Sequence, residues 1–487
     1  MQLVLPLEND SPVPLHRQIY EQLRQRILHG QLPPGQRLPS TRVLAHTLSI
    51  SRTTASLGYE QLLSEGYLQT RSGSGTYVCD QIPEQLLQVD PLKVPVPSTA
   101  LVPRLSRYGK SLSENWIPRD EARPQAINFR YGSPAFDALP LEQWRRLLVR
   151  HCRCSPGVLD YSRDPLGYQP LRESIARYLN RSRAVRCQAD QVLIIGGSLQ
   201  ALDLTTRILI DPGDVVAVED PGYLGARNTF LSQGADLLGL PVDKEGVMME
   251  KLTGQLPRAI NLVYVTPSHQ FPSGAVLSLP RRLALLAWAK ANNALIIEDD
   301  YDSEYRYSGR PIPSLQGLDQ GNSVIYIGTF SKVLFPSLRI GYLVLPPDLL
   351  PVFAQARWVV DRHSPMLEQY VLRDFIEEGH LERHIRRMRS LYAERRHVLV
   401  EALHTHLGNR AIILGEEAGM HVLVRFQTQI SDEVLIEQAA AVGVGLSSAA
   451  INYLCTGVTG EFIFGYADLT PEQIVEGVIR IAHILHR

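Results

Sequence analysis

Neither sign of charge dominates this chain: 49 Lys and Arg stand against 50 Asp and Glu, a formal net charge of -1. No global field draws it to nucleic acid or to an anionic membrane, so any basic surface has to be local. Cysteine is scarce, with five residues (Cys79, Cys152, Cys154, Cys187, Cys455) in an odd number and without framework spacing. Cys152-x-Cys154 has no second ligand pair, so neither a disulfide scaffold nor a structural metal is expected. No apolar run approaches the ~18 residues that cross a bilayer, and MQLVLPLEND carries acids where a targeting segment would carry positive charge. A cytoplasmic protein without membrane contact is the expectation. Aromatics make up only 7%, yet 44% of the residues are hydrophobic, and 487 residues suffice for two or three domains with full cores.

Punctuation divides the chain into three zones. Residues 1–78 are compact and patterned. Residues 79–125 are rich in proline and poor in periodicity (VDPLKVPVPSTALVP), which reads as a stiff linker or as an arm packed on one domain. Residues 126–487 alternate short apolar runs with helical stretches. There QVLIIGGSLQ, DVVAVEDPGY, INLVYVTPSH, ALIIEDDYDS and SVIYIGTFSK each set a β-branched run just before Gly, Asp, Pro or Ser. Such alternation predicts an α/β fold with a mostly parallel sheet covered by helices on both faces. Ligands of open α/β sheets collect at the carboxyl ends of the strands, which is where this punctuation falls.

In the first zone, Leu15, Ile19, Leu23 and Ile27 recur at four-residue steps and stop before Gly30, as in an amphipathic helix closed by a glycine. Ser40 can cap a second helix and Ser51 a third, with only Ser49-Ile50 between them, which is helix-turn-helix spacing. YLQTRSGSGTYV then alternates and turns through Gly73 and Gly75, like a small two-stranded wing. A helix entering the major groove by its N-terminus would aim Arg52, Thr53 and Thr54 at bases and phosphates. The same residues also suit the polar surface of a three-helix bundle. The ordered set LPSTRVLAHTLSISRTTASLGYEQLLSEGYL…GSGTYV resembles the winged helix-turn-helix of the GntR family of transcription regulators. That resemblance implies DNA contacts at Arg42 and Arg52, helped by Ser40, Ser51, Thr53, Thr54 and a wing near Arg71 and Gly75.

The third zone carries a lysine in a hydroxyl-rich turn, GTFSKVLFPSLRIGY. A lysine amine serves catalysis by condensing with carbonyls, most often with pyridoxal 5'-phosphate (PLP), which needs an imine lysine, an acid for the pyridinium, a donor to the phenolic oxygen and a phosphate cup. Lys332 supplies the amine. Thr329, Ser331 and the fork of Arg339 suit phosphate oxygens. Gly197, Ser198 and Leu199 fall where a helix begins, so their N–H groups can receive an anion. Asp299 closes a strand as the pyridinium partner, Tyr301 lies two residues on toward the phenolic oxygen, and Tyr223 can lie on the ring face.

The order GGS, PGY, HQFPSG, EDDY, TFSK, LRIGY resembles the fold-type I aminotransferases, and the whole chain resembles the MocR subfamily of GntR regulators. The resemblance implies a PLP-bound effector domain with a C-terminal α+β subdomain, Lys332 as the Schiff-base lysine, and a homodimer, commonly domain-swapped, on a double-stranded DNA operator. In YSRDPLGYQPLRESIARYLN it implies that Tyr161 reaches the phosphate of the neighbouring subunit. Two departures stand out. Phe271 occupies the place of the asparagine that holds the phenolic oxygen, leaving Tyr301, with His269 as a second candidate or a packed loop histidine. Ile463 occupies the place of the arginine that clamps a substrate α-carboxylate, and an unpaired carboxylate in a dry pocket costs several kcal/mol. Arg425 is the alternative cation, or a strand-edge surface arginine. The expectation is therefore a PLP-dependent regulator sensing PLP itself, or PLP with an amino compound. The alternatives are an aminotransferase with a fused DNA-binding module and a DNA-binding scaffold with an inert passenger.

Overall fold

The computed structural model describes residues 3, 5–8, 10–71, 74–84, 104–114, 125–153, 160–254, 258–308, 312–454 and 458–486. The chain forms two compact units, Met1–Pro103 and Arg104–Arg487.

In the first unit, three helices precede a two-stranded wing: α1 (Leu15–Leu28), α2 (Thr41–Thr47), α3 (Arg52–Ser64), β1 (Leu68–Arg71) and β2 (Gly75–Val78). The four-residue period of α1 buries Ile19, Leu23 and Ile27, and the chain leaves the helix through Gly30 at φ +70°. Ser40 Oγ accepts from the Val43 amide and Ser51 Oγ from the Thr54 amide, so both serines cap their helices as expected. The Tyr59 hydroxyl donates to the Pro39 carbonyl and ties α3 to the start of α2. β1 and β2 pair antiparallel, with Arg71 opposite Gly75. The turn at Gly73 lies outside the described residues. Replacing Ser51 with alanine removes the cap of α3 and should destabilise this unit by ~1 kcal/mol, read as a lowered denaturant midpoint.

Of the zone expected as a linker, residues 79–84 pack against the helices, with Ile82 buried beside Leu62 and Glu84 paired to Arg24. Further on, a helix spans Arg107–Glu114, and Ser111 Oγ donates to the Leu231 carbonyl. The proline-rich centre lies outside the described residues.

The second unit is built on an eight-stranded sheet. Its strands are β4 (Val192–Ile195), β5 (Val215–Asp220), β6 (Asp236–Asp243), β7 (Gly246–Val247), β8 (Ile260–Val265), β9 (Leu295–Asp300), β10 (Val324–Thr329) and β11 (Gly341–Val344), with β3 (Ile127–Asn128) lying outside it. The order is β4-β11-β10-β9-β8-β5-β6-β7, parallel except where β11 and β7 run against their neighbours. The five apolar runs singled out above are β4, β5, β8, β9 and β10. They read as continuous apolar runs because both faces are covered. Val192 and Ile194 join one core with Tyr326 and Tyr342, while Leu193 and Ile195 join the opposite core with Ile325 and Ile327.

The C-terminal part adds an antiparallel sheet of β12 (Ala411–Leu414), β13 (His421–Phe426), β16 (Glu461–Gly465) and β15 (Ser447–Ser448). A parallel pair, β3 with β14 (Val444–Gly445), joins the beginning of the unit to this subdomain. Two helices, His380–Leu407 and Pro471–Leu485, cover it around Met388, Tyr392, Leu403, Val478 and Ile481. Among the described residues, no helix is long and apolar enough to cross a membrane.

Candidate functional site

The parallel strands all end on one side of the sheet, and the side chains that follow their ends meet around a cavity of about 220 Å³. β4 runs into Gly197, the N-cap of α4 (Ser198–Leu209), at φ +119°. A Cβ there would stand 3.3 Å from both terminal nitrogens of Arg339, so glycine is what lets the guanidinium lie against the helix N-terminus. Arg339 itself holds a left-handed φ of 50°, a conformation that costs energy for any residue carrying a Cβ and is kept by its surroundings. β9 delivers Asp299 and, past its end, Tyr301; β10 delivers Thr329, Ser331 and Lys332.

Nine of the ten cofactor residues anticipated from the sequence line this cavity: Ser198, Leu199, Tyr223, Asp299, Tyr301, Thr329, Ser331, Lys332 and Arg339. Lys332 Nζ donates to the Gly132 carbonyl at 3.0 Å and stands 4.8 Å from the centre of the Tyr131 ring. Burial lowers its pKa to about 8, partly opposed by the charges of Asp302 and Asp299. Asp299 Oδ2 accepts from the Tyr264 hydroxyl at 2.9 Å, while Oδ1, sealed from solvent, has no partner among the described residues. Burial pushes the Asp299 carboxyl up to about 7. The Ser331 amide donates to Thr329 Oγ1, and the Tyr223 phenol, edge-on to Phe271, is pushed up to about 12 by burial.

The tenth residue, Tyr161, expected at the site of the neighbouring subunit, does not line the cavity of its own chain. It is 68% exposed, with the Arg362 guanidinium 4.6 Å over its ring.

The two departures are also placed. Phe271 and Ile463 pack together with Tyr301, Leu423 and Ala449 in one apolar cluster beside the cavity. Arg425, the alternative cation, does not line the cavity: it pairs with Glu461 through Nε at 2.9 Å and Nη2 at 2.5 Å. Among the described residues, the cations lining the cavity are Lys332 and Arg339.

Sequence reading missed Tyr131, Gly132 and Tyr264. Gly132 has φ +100°, and a Cβ on it would fall 2.5 Å from Lys332 Nζ. Nothing local betrays a segment 200 positions from the lysine it contacts. Tyr264 had a signal, since it lies one alternation before Thr266 in INLVYVT and both reach the cavity.

In the first unit, Arg42, Arg52 and Thr53 are exposed, and neither arginine pairs with an acid among the described residues. Ser40, Ser51 and Thr54 are engaged in capping. Arg71 stacks on Tyr77 and stands 4.0 Å from Asp80. Arg37, not singled out beforehand, lies against the wing, 3.2 Å from where a Gly75 Cβ would be.

Residues 124–481 match the family described as aminotransferase class I and II, and residues 15–78 match the gntR family of bacterial regulatory proteins. The chain is 42% identical over 475 residues to the probable rhizopine catabolism regulatory protein MocR of Rhizobium meliloti, covering 98% of this chain and 94% of that one. It is 31% identical to the HTH-type pyridoxine biosynthesis transcriptional regulator PdxR of Corynebacterium glutamicum, covering 95% and 94%. The structure of LysN, the alpha-aminoadipate aminotransferase of Thermus thermophilus complexed with N-(5'-phosphopyridoxyl)-L-leucine, superposes with a TM-score of 0.71 at 30% identity, covering 78% of this chain and 97% of that one.

Proposed function

The chain belongs to the MocR-type regulators, which join a gntR-family DNA-binding unit to a class I and II aminotransferase domain, and from that premise we propose that it senses PLP itself by capturing it on Lys332. The observation that carries the reading is the convergence, in one cavity, of an amine whose pKa burial lowers to about 8, a buried carboxylate oxygen without a partner among the described residues, and an arginine fork over a glycine at a helix N-terminus.

These residues fit the cofactor. Asp299 Oδ1 lacks a donor among the described residues and would hold a pyridinium N–H; such an orphan is costly unless something fills it. Arg339, Ser198, Thr329, Ser331 and the first amides of α4 would hold the phosphate, Tyr301 the phenolic oxygen and Tyr223 the ring face. When bound, PLP supplies an aldehyde that condenses with an amine and a ring that withdraws electrons. Burial keeps Lys332 Nζ partly unprotonated near neutral pH, ready as a nucleophile, while Tyr131 and Gly132 screen it from water.

Only the neutral amine attacks an aldehyde, so below the Lys332 pKa of about 8 the reactive fraction should fall ~tenfold per pH unit. Stopped-flow absorbance on mixing apoprotein with PLP should show the capture rate rising with pH and levelling off above about 8.

The apolar cluster around Ile463 argues against turnover of amino acids, because an α-carboxylate placed there meets Phe271, Leu423 and Ala449 in place of a cation. The name of PdxR, a pyridoxine biosynthesis regulator, supports PLP as the effector. A homodimer is part of the reading. The helix Leu350–Asp361 exposes Trp358, Val359 (82%) and Val360 near the stacked Arg362 and Tyr161, an apolar face suited to a second copy. Two DNA-binding units in one dimer read two half-sites, and a ligand that favours one arrangement by ~1 to 3 kcal/mol switches occupancy appreciably. Such work places the protein with the chromosome, in the cytoplasm.

Operator affinity measured by fluorescence anisotropy with and without saturating PLP tests the proposal. A change of several-fold is expected; unchanged affinity and footprint would reject PLP as the effector. Accumulation of keto acid over many turnovers with amino donors would favour the aminotransferase alternative.

A further inference from the structure

Tyr301 is asked to donate to a group in the cavity, yet its only proton has a competing acceptor. Its hydroxyl lies 2.8 Å from the backbone carbonyl of His269 and 3.1 Å from the same residue's Nδ1. A phenol cannot donate to the carbonyl and to the cavity at once. Something has to release that proton and keep the phenol oxygen satisfied when it turns away.

We propose that His269, held in one tautomer by Asp302, is the positioning residue that frees the Tyr301 hydroxyl to donate into the cavity. This rests on the reading that the cavity takes PLP.

The geometry assigns each part. His269 Nδ1 lies 3.2 and 3.1 Å from the two Asp302 carboxylate oxygens, and both side chains are 1% exposed. An ionised carboxylate only accepts, so the ring proton belongs on Nδ1. That one N–H is shared: it stands as far from Tyr301 Oη, 3.1 Å, as from the nearer Asp302 oxygen, and as a bifurcated donor it can bond the phenol oxygen while still held by Asp302 once the phenol proton swings off the carbonyl. Donation to a phenol oxygen makes that phenol a stronger donor in turn. Tyr301 thereby recovers support that an asparagine at position 271 would share and that Phe271 cannot give.

The pair is tightly held. A Cβ on Gly419 would stand 2.0 Å from His269 Cε1 and 2.8 Å from Asp302 Oδ2, so bare backbone packs against both. His421 flanks His269 at 4.8 Å between ring centres, bonds the Pro272 carbonyl through Nε2, and is kept neutral by burial. The other titratable groups facing Tyr301 are Asp302, Tyr131, Tyr264 and Asp299, with Lys332 and Arg130 beyond.

The test is a pH titration of the visible band of the PLP-loaded full-length protein. A donor to the phenolic oxygen stabilises its anionic form and lowers the midpoint. His269→Ala should therefore raise it by ~0.5 to 1 unit, whereas His269→Asn, which keeps an N–H near the Nδ1 position, should stay close to wild type. His269→Leu fills the volume should the alanine variant not accumulate. On a Tyr301→Phe background the alanine change should add nothing. An unmoved midpoint, or an equal shift without Tyr301, overturns the proposal. His269, Asp302 and His421 also have ligand atoms within 4.8 Å of one another. A stoichiometric transition metal found by elemental analysis, whose removal by chelator reproduces the shift, would overturn it in favour of a cation site. A wild-type protein that develops no band with PLP would instead sink the capture reading on which it rests.

Discussion

Replacing Lys332 with alanine should abolish covalent capture of PLP while leaving a folded protein. Borohydride reduction followed by mass spectrometry should add a phosphopyridoxyl increment to the wild type and none to the variant. The loss should be complete because the described part of the cavity offers no second amine: the other cation in its lining is the Arg339 guanidinium, which stays protonated. The fold should survive, since among the described residues the Lys332 amine bonds only the Gly132 carbonyl, and it is held against its preferred charge state by burial. Removing such a group relieves desolvation as well as breaking a contact, so the unfolding free energy should move by less than ~1 kcal/mol. Phosphate binding through Arg339 should persist, giving weak reversible PLP affinity. The PLP-dependent change in operator affinity should vanish with the covalent bond. A variant that still responds to PLP would show that occupancy of the cavity, without the lysine, is the signal.

Replacing Arg52 with alanine should cost the most in DNA affinity. Arg52 is the first residue of α3, is exposed, and pairs with no acid among the described residues. A bidentate contact from this position discriminates its base by ~1 to 3 kcal/mol, and a dimer loses it twice, so specific affinity should fall by ~2 to 6 kcal/mol. Anisotropy with an operator selected from random sequence, at fixed salt, measures this. Thr53→Ala should matter less, and Arg42→Ala should lower the salt dependence by about one counterion per site if it meets phosphate. An Arg52→Ala protein within twofold of wild type would move base reading to another element of this unit.

Local chemistry made much of this protein legible beforehand. Ser40 and Ser51 cap amides three residues away, so neighbours in sequence suffice to foresee those bonds. The strands announced themselves because each apolar run ends abruptly in the polar residues that the parallel topology gathers on one side, which is why nine residues from five separate segments could be assigned to one cavity. The helix Arg107–Glu114 escaped notice because its context is proline-rich and it holds Gly109 and two serines, weak helix formers that leave the outcome to packing.

What the sequence determined by itself was the inventory: an amine, an acid, a fork, a glycine before a helix, and an isoleucine at position 463. Tertiary structure decided how those groups behave. Burial lowers the Lys332 amine to about 8 and raises the Asp299 carboxyl to about 7, and it leaves one Asp299 oxygen without a partner among the described residues. Contacts across 200 residues put Gly132 and Tyr131 on Lys332, those across 33 put Asp302 on His269, and those across 36 commit Arg425 to Glu461. Proton affinity and hydrogen-bond competition depend on what surrounds a group in space, and chain order does not carry that information until the fold brings distant segments together.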